Sequence, residues 1–229
     1  MRKGRRGAHT LPQIYWCEAD ELRKYWQQGT TLLTEKRREK TLRLVKEEDR
    51  LLSLGAGLML RTVLKISSDD EIKYNEHGKP YFEHGKHDFE HGTHFSISHS
   101  GNIAVLAVSK DEIGVDIEKL RAPNAAVIRR CFTEKEALRA QNSAEEFTRL
   151  WTEKEAVLKL LGTGFSLSPK SFCLVPQQER YSVLSTELCI FHTEISNMPL
   201  SAAFCGSDSA FTIKKLSAAE LLGEPKGTK

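Results

Sequence analysis

Between residues 95 and 118 three β-prone segments, 95–98, 103–108 and 113–118, follow one another almost without interruption. Their connectors, Ser100-Gly101-Asn102 and Lys110-Asp111-Glu112, are short and rich in turn-forming residues. Parallel neighbours need a crossover of roughly a dozen residues, so this run predicts an antiparallel meander. Ahead of it, residues 20–28 read as an early polar helix between the apolar pieces 11–17 and 32–33. Residues 35–65 then carry Leu42, Val45, Leu52, Met59 and Val63 at helical intervals. Gly55 and Gly57 either weaken that helix or admit another backbone close to it.

Behind the meander, Thr133-x-x-Glu136 and Ser143-x-x-Glu146 predict two helices, each opened by a capping box. In the second, Phe147, Leu150, Trp151, Val157, Leu158 and Leu161 gather on one side, and Gly162 with Gly164 stops it. Short strands are expected at 171–175, 188–192, 201–205 and 211–215, and a loose end over 217–229. Helices and antiparallel strands in separate blocks make the fold α+β. A midpoint falls near residues 105–112, with no linker to mark it.

Composition narrows the function classes. The 229 residues hold 34 Lys and Arg against 31 Asp and Glu, a net +3 that is too small to predict nucleic-acid binding. No apolar run approaches the roughly 20 residues of a membrane span, and no secretory signal pattern is present, so a cytoplasmic protein is expected. The five cysteines are widely spaced with no C-x-x-C pair, which fits neither a disulfide framework nor a thiolate zinc site.

Several residues could carry chemistry, and each has a plainer reading. Asp116 and Glu118 are two apart on a predicted strand, hence on one face, where they could hold a hard cation with phosphate oxygens or simply line a surface edge. Glu155 and Lys159 form an i,i+4 pair on the strongest helix, either an exposed ion pair or a base and a cation for phosphate charge. Ser98-His99-Ser100-Gly101 ends a strand in a turn and is better suited to hydrogen bonding or phosphate contact than to nucleophilic catalysis. Arg37, Arg38, Lys40 and Lys46 form a basic cluster, and Lys79 sits in Gly78-Lys79-Pro80. These are solvated charges or holders of a nucleotide-like ligand's phosphates. The triplet Glu-His-Gly recurs at 76–78, 83–85 and 90–92, and six of eight histidines lie between 77 and 99. Metal binding there would require convergence that spacing alone does not show, and a polar, solvent-facing hairpin is the plainer reading.

The order of these motifs is more specific than any one of them. Arg37-Arg38-Glu39-Lys40, Gly78-Lys79-Pro80, Phe95-Ser96-Ile97-Ser98-His99-Ser100, Gly114-Val115-Asp116-Ile117-Glu118 and Trp151-Thr152-Glu153-Lys154-Glu155 through Lys159, then Gly164-Phe165-Ser166-Leu167, resemble the 4′-phosphopantetheinyl transferases of the Sfp type over roughly residues 35–175. The resemblance implies two similar α+β halves related by a pseudo-two-fold, here 1–108 with the basic residues and 109–229 with the acidic ones, and an active site between them. It implies Mg2+, or Mn2+, on Asp116, Glu118 and Glu155. Coenzyme A contacts would come from Arg37, Lys40, Ser53, Lys79, Ser98, His99 and Lys159. Asp116, Glu155 and Lys159 would act in catalysis. It further implies a monomer that moves the phosphopantetheine arm of coenzyme A to a serine of an apo acyl or peptidyl carrier protein, releasing adenosine 3′,5′-bisphosphate. Arg37 and Ser53 stand where the best-known members have Lys and Thr, and Ser96 where Asn is frequent. The rival readings are a non-catalytic module that binds coenzyme A or a carrier, a histidine-rich metal-binding protein and a phosphatase-like metal hydrolase.

Overall fold

The computed structural model describes residues 11–83, 93–174, 180–206 and 210–223. His84, His87 and His91, with most of the second and all of the third Glu-His-Gly triplet, lie outside the described residues. In chain order the elements are β1 (Gln13–Glu18), α1 (Trp26–Thr31), α2 (Glu35–Arg43), α3 (Glu47–Leu64), β2 (Lys73–Tyr74), β3 (Pro80–Tyr81), β4 (His94–Ser100) and β5 (Ile103–Ser109). There follow β6 (Ile113–Ile117), α4 (Ala125–Cys131), α5 (Glu134–Ala140), α6 (Ala144–Leu161), β7 (Tyr181–Val183), β8 (Thr186–Ile195), β9 (Met198–Phe204), β10 (Thr212–Lys215) and α7 (Ala218–Leu222).

Two four-stranded sheets, ordered β10-β1-β5-β4 and β6-β9-β8-β7, pack face to face. Ile14, Ile103, Val105 and Ala107 of the first meet Ile113, Val115, Ile117, Leu200, Ala202 and Phe204 of the second in one core. The opposite face of the first sheet is covered by α3, through Leu54, Leu58 and Met59 against Cys17, Ala104 and Leu106. α6 covers the opposite face of the second, through Ala156, Val157 and Leu160 with Leu188 and Ala203. The two halves are thus of like build, an 18-residue helix on a four-stranded sheet in each, and the α+β class holds.

The meander is only half formed. β4 and β5 make the expected antiparallel hairpin, Phe95 opposite Val108 and Ser100 opposite Ile103. β6 instead leaves for the second sheet and pairs with β9, Asp116 opposite Ser201. β5 already has β1 on its free edge, and all five residues of β6 are buried, as a strand covered on both faces requires.

Other expectations are corrected. The helical stretch 35–65 is two helices, because the chain turns extended at Leu44 and Lys46. Leu42 and Val45, which belong to the helical spacing of that stretch, are 51% and 89% exposed. Residues 20–28 fold as a 3₁₀ turn over Ala19–Tyr25 running into α1. Residues 169–171 form another such turn and 172–174 no strand. The expected loose end holds α7, closed by a Ser217–Glu220 capping box, with Leu221 and Leu222 buried against α3. The Thr133–Glu136 capping box forms. Ser143 caps α6, but Glu146 turns away to Arg139 at 2.6 Å.

Candidate active site

The edge strands β4 and β6 run side by side without backbone pairing, and serine side chains close the seam. The Val115 N–H donates to Ser96 Oγ at 3.1 Å. Ser98 Oγ donates to Asp116 Oδ1 at 2.6 Å, and Ser100 Oγ donates to Glu118 Oε2 at 2.8 Å while accepting from the Lys119 N–H at 3.1 Å. Alternate residues of one strand point to one face, so a single row of hydroxyls on β4 orients the carboxyl groups of Asp116 in β6 and of Glu118 just past its end.

α6 lies directly on β6. A Cβ at Gly114 would fall 2.0 Å from the Ala156 carbonyl oxygen and 2.4 Å from the Leu160 nitrogen, so only glycine allows this approach. It brings Lys159 down to the strand, where its ammonium donates to Asp116 Oδ1 (2.6 Å), Ser98 Oγ (3.0 Å) and the Val115 carbonyl (3.1 Å). Asp116 is 5% exposed, and its second oxygen, Oδ2, is buried with no hydrogen-bond partner among the described residues. One turn before Lys159, burial foremost and then the charge of Asp116 push the Glu155 carboxyl up to about 7, with Lys159 opposing and Glu118 adding to the rise.

These groups stand at the base of a cleft of about 740 Å3. Arg37, Lys40, Ser53, Lys79, Ser98, His99, Asp116, Glu155 and Lys159 all line it, so nine of the ten residues singled out in the sequence converge. Glu118 does not line it, being held by Ser100 and by Arg121 at 3.0 Å. On the basic wall Arg37 donates to the Ser53 carbonyl at 3.1 Å, while its Nε is buried without a hydrogen-bond partner among the described residues. Burial lowers the proton affinity of Arg37, and burial followed by the Arg37 charge lowers that of Lys40. For His99 burial comes first, then the charges of Lys159 and Arg37, which together hold its pKa below the usual histidine range. The Ser53 hydroxyl is shared with Thr41 at 2.7 Å. Lys79 is tied to Glu112 and to the Leu160 carbonyl.

Among the described residues no three His, Cys, Asp or Glu side chains form a ready metal site. The donor set nonetheless suits a hard divalent cation: it is all oxygen, and the orphaned Asp116 Oδ2 lies with Glu155 in the cleft lining. Such an ion takes one or two carboxylates and completes its shell with water and phosphate oxygens. The described histidines do not cluster. His77 lies beside Glu76 and Ser166, and His94 beside Glu112.

Some working residues give little signal in the sequence. Ser96 and Ser100 stand within one of the motifs, but nothing there assigns them a partner on another strand. Lys154 stands within one of the motifs, yet it is fully buried: it pairs with Glu136 at 2.9 Å and donates to the Pro169 and Phe172 carbonyls at 2.8 and 2.5 Å. It pins the segment after α6 in place and takes no part in the cleft lining.

Two family models divide the chain at the same place as the seam. Residues 20–111 match the model described as 4′-phosphopantetheinyl transferase, N-terminal, and 112–205 that of the 4′-phosphopantetheinyl transferase superfamily. A 4′-phosphopantetheinyl transferase of Bacillus subtilis is 29% identical over 189 residues, 76% of this chain and 82% of that one. 4′-phosphopantetheinyl transferase Sfp of Bacillus subtilis (strain 168) is 31% identical over 65% of this chain and 69% of its own. 4′-phosphopantetheinyl transferase AcpT of Escherichia coli (strain K12) is 32% identical over 69% and 75%. With the motif order, the two-sheet architecture and the convergent cleft, these likenesses place the chain in the 4′-phosphopantetheinyl transferase superfamily, as an enzyme of the Sfp type.

Proposed function

We propose that this enzyme transfers the 4′-phosphopantetheine arm of coenzyme A to a serine of an apo acyl or peptidyl carrier protein, in a Mg2+-dependent reaction that releases adenosine 3′,5′-bisphosphate. The observation that carries this reading is the constellation Ser98–Asp116–Lys159 with Glu155 at the base of a cleft whose wall is cationic. Asp116 Oδ2 and Glu155 would hold the cation, with Glu118 the nearest further carboxyl on the strand; Mn2+ suits the same oxygen donors. When bound, the ion supplies charge neutralisation and a template for the pyrophosphate.

The chain's own groups do the rest. Glu155, which lies in the same cleft, would take the hydroxyl proton of the carrier serine. The serine oxygen forms a bond to the phosphorus that bears pantetheine, and the bond from that phosphorus to the bridging oxygen breaks. The Lys159 ammonium neutralises charge on the departing phosphate. Arg37, Lys40 and His99 hold the remote 3′-phosphate, while the Ser53 and Ser98 hydroxyls border the same ligand. The division at 108/109 into a basic and an acidic half, a monomeric state and a cytoplasmic location belong to this reading. No described helix is long and apolar enough to cross a membrane.

The test is release of adenosine 3′,5′-bisphosphate equimolar with carrier consumed, and none when the carrier serine is alanine. Release without a carrier would mark a hydrolase instead.

A further inference from the structure

The β2–β3 hairpin reaches the C-terminal end of α6 and closes it. The Asn75 side-chain amide donates to the Gly162 carbonyl at 2.8 Å, while its oxygen accepts from the N–H groups of His77 (3.0 Å) and Lys79 (2.8 Å). One carboxamide therefore shapes the turn and grips the helix end. The Lys79 ammonium donates to the Leu160 carbonyl at 2.6 Å and to the Glu112 carboxylate. The last carbonyls of a helix lack partners within it and favour a cation, and this hairpin supplies both needs. The fit is close: Gly162 has φ +66, and a Cβ there would lie 2.7 Å from Lys79 Cδ and 2.9 Å from Asn75 Nδ2.

Lys79 is poorly placed to bind phosphate as well. Its side chain is only 16% exposed and its charge faces Glu112, whose other oxygen is 3.2 Å from His94 Nδ1. A phosphate brought to the ammonium would meet the Glu112 carboxylate beside it. Leu160 follows Lys159 directly, and Glu155 lies one turn earlier. Holding this carbonyl therefore fixes the height of both groups over β6.

We infer that Asn75 and Lys79 are positioning residues, a clamp from the first half that holds the end of α6 and so keeps Lys159 and Glu155 in register with Asp116, and that the Lys79 ammonium serves the helix end rather than a phosphate of coenzyme A. The clamp rests on the transferase reading for its effect on rate, and not for its effect on the helix.

The experiment compares Asn75→Ala, Lys79→Met and the milder Asn75→Asp, which keeps the turn-closing oxygen and loses the donor to Gly162. It reads steady-state kinetics with coenzyme A varied, calorimetric affinity for coenzyme A, and hydrogen exchange of the amides at 159–163. The expected result is a fall in kcat of about tenfold to a hundredfold, the scale of a misplaced catalytic group, with KM and Kd for coenzyme A unchanged and exchange at 159–163 faster. A Lys79→Met variant with weakened coenzyme A binding, unchanged kcat and unchanged exchange would overturn the clamp and restore Lys79 as a ligand contact. Should the wild-type chain transfer nothing, the transferase reading falls, and exchange alone decides the clamp: acceleration upholds it and no change overturns it.

Discussion

Asp116 uses its two oxygens differently. Oδ1 is committed to Ser98 and Lys159, and Oδ2 is left buried without a partner among the described residues. A buried acceptor is costly to leave unmet, and in the proposed reaction a bound cation would meet this oxygen. Replacing Asp116 with alanine should lower transfer by at least about a hundredfold and remove its metal dependence, whereas His99→Ala should raise KM for coenzyme A by about tenfold with kcat nearly unchanged. Rate against metal and coenzyme A concentration separates the two, and full activity in Asp116→Ala would contradict the assignment. Glu155 gives a second test at this scale. Its folded value of about 7 exceeds the ordinary 4.5, so between those pH values the native state keeps a proton that the unfolded chain has lost. Metal-free protein should therefore lose roughly 2–3 kcal/mol of stability as pH rises through this window, and Glu155→Gln should flatten the loss. Denaturant unfolding with chelator at several pH values measures it; equal slopes in both proteins would refute the burial of this carboxyl. The charged members of this site are weak signals one by one, and it is the family resemblance of the motif order that singles them out in the sequence. Ser96, Ser100 and Asn75 are not, since each finds its partner on another element, the serines 18 or 19 residues away and Asn75 as far as 87.

At the scale of elements, the contact of α6 with β6 decides the geometry. Gly114→Ala would force the Ala156 and Leu160 backbone away, at a cost of about 3 kcal/mol or more, and would lift Glu155 and Lys159 off Asp116. Lys154→Met should cost about 3–5 kcal/mol by stranding the buried Glu136 carboxyl, although Lys154 touches no group at the reacting end. Thermal or denaturant midpoints test both, and a Lys154→Met protein as stable as wild type would refute a structural role. The β4–β5 hairpin and α6 are readable from turn residues, capping and periodicity. The sheet to which β6 belongs is not, because its partner β9 lies some eighty residues downstream and short connectors argue for the nearer neighbour. The break at Leu44–Lys46 is hidden for a related reason: Leu42 and Val45 keep helical spacing while facing solvent.

Across the whole molecule the chain crosses the seam twice. After completing the second sheet it returns, and β10 pairs in parallel with β1 while α7 packs its leucines against α3. The family models stop at residue 205, yet the first half is completed by β10 and α7 beyond that point. Removal of residues 212–229 should therefore expose the edge of β1 and the Leu221 and Leu222 site, and destabilise the half that carries the basic wall of the cleft. Loss of coenzyme A affinity together with a lowered unfolding midpoint would bear this out, and a truncated protein with wild-type affinity and midpoint would not. The two-half plan is legible through the motif order. This return is not, because 217–229 is polar in composition and one short capping box does not reveal what its helix packs against.

The central claim is group transfer to a protein, and one measurement addresses it directly. Apo acyl and peptidyl carrier proteins are incubated with this enzyme, coenzyme A and Mg2+, and their intact masses recorded. The account predicts a gain of one phosphopantetheine arm on at least one carrier, abolished by chelator and by Asp116→Ala. Coenzyme A bound, with no mass gained on any carrier, would contradict it and leave a binding module in its place.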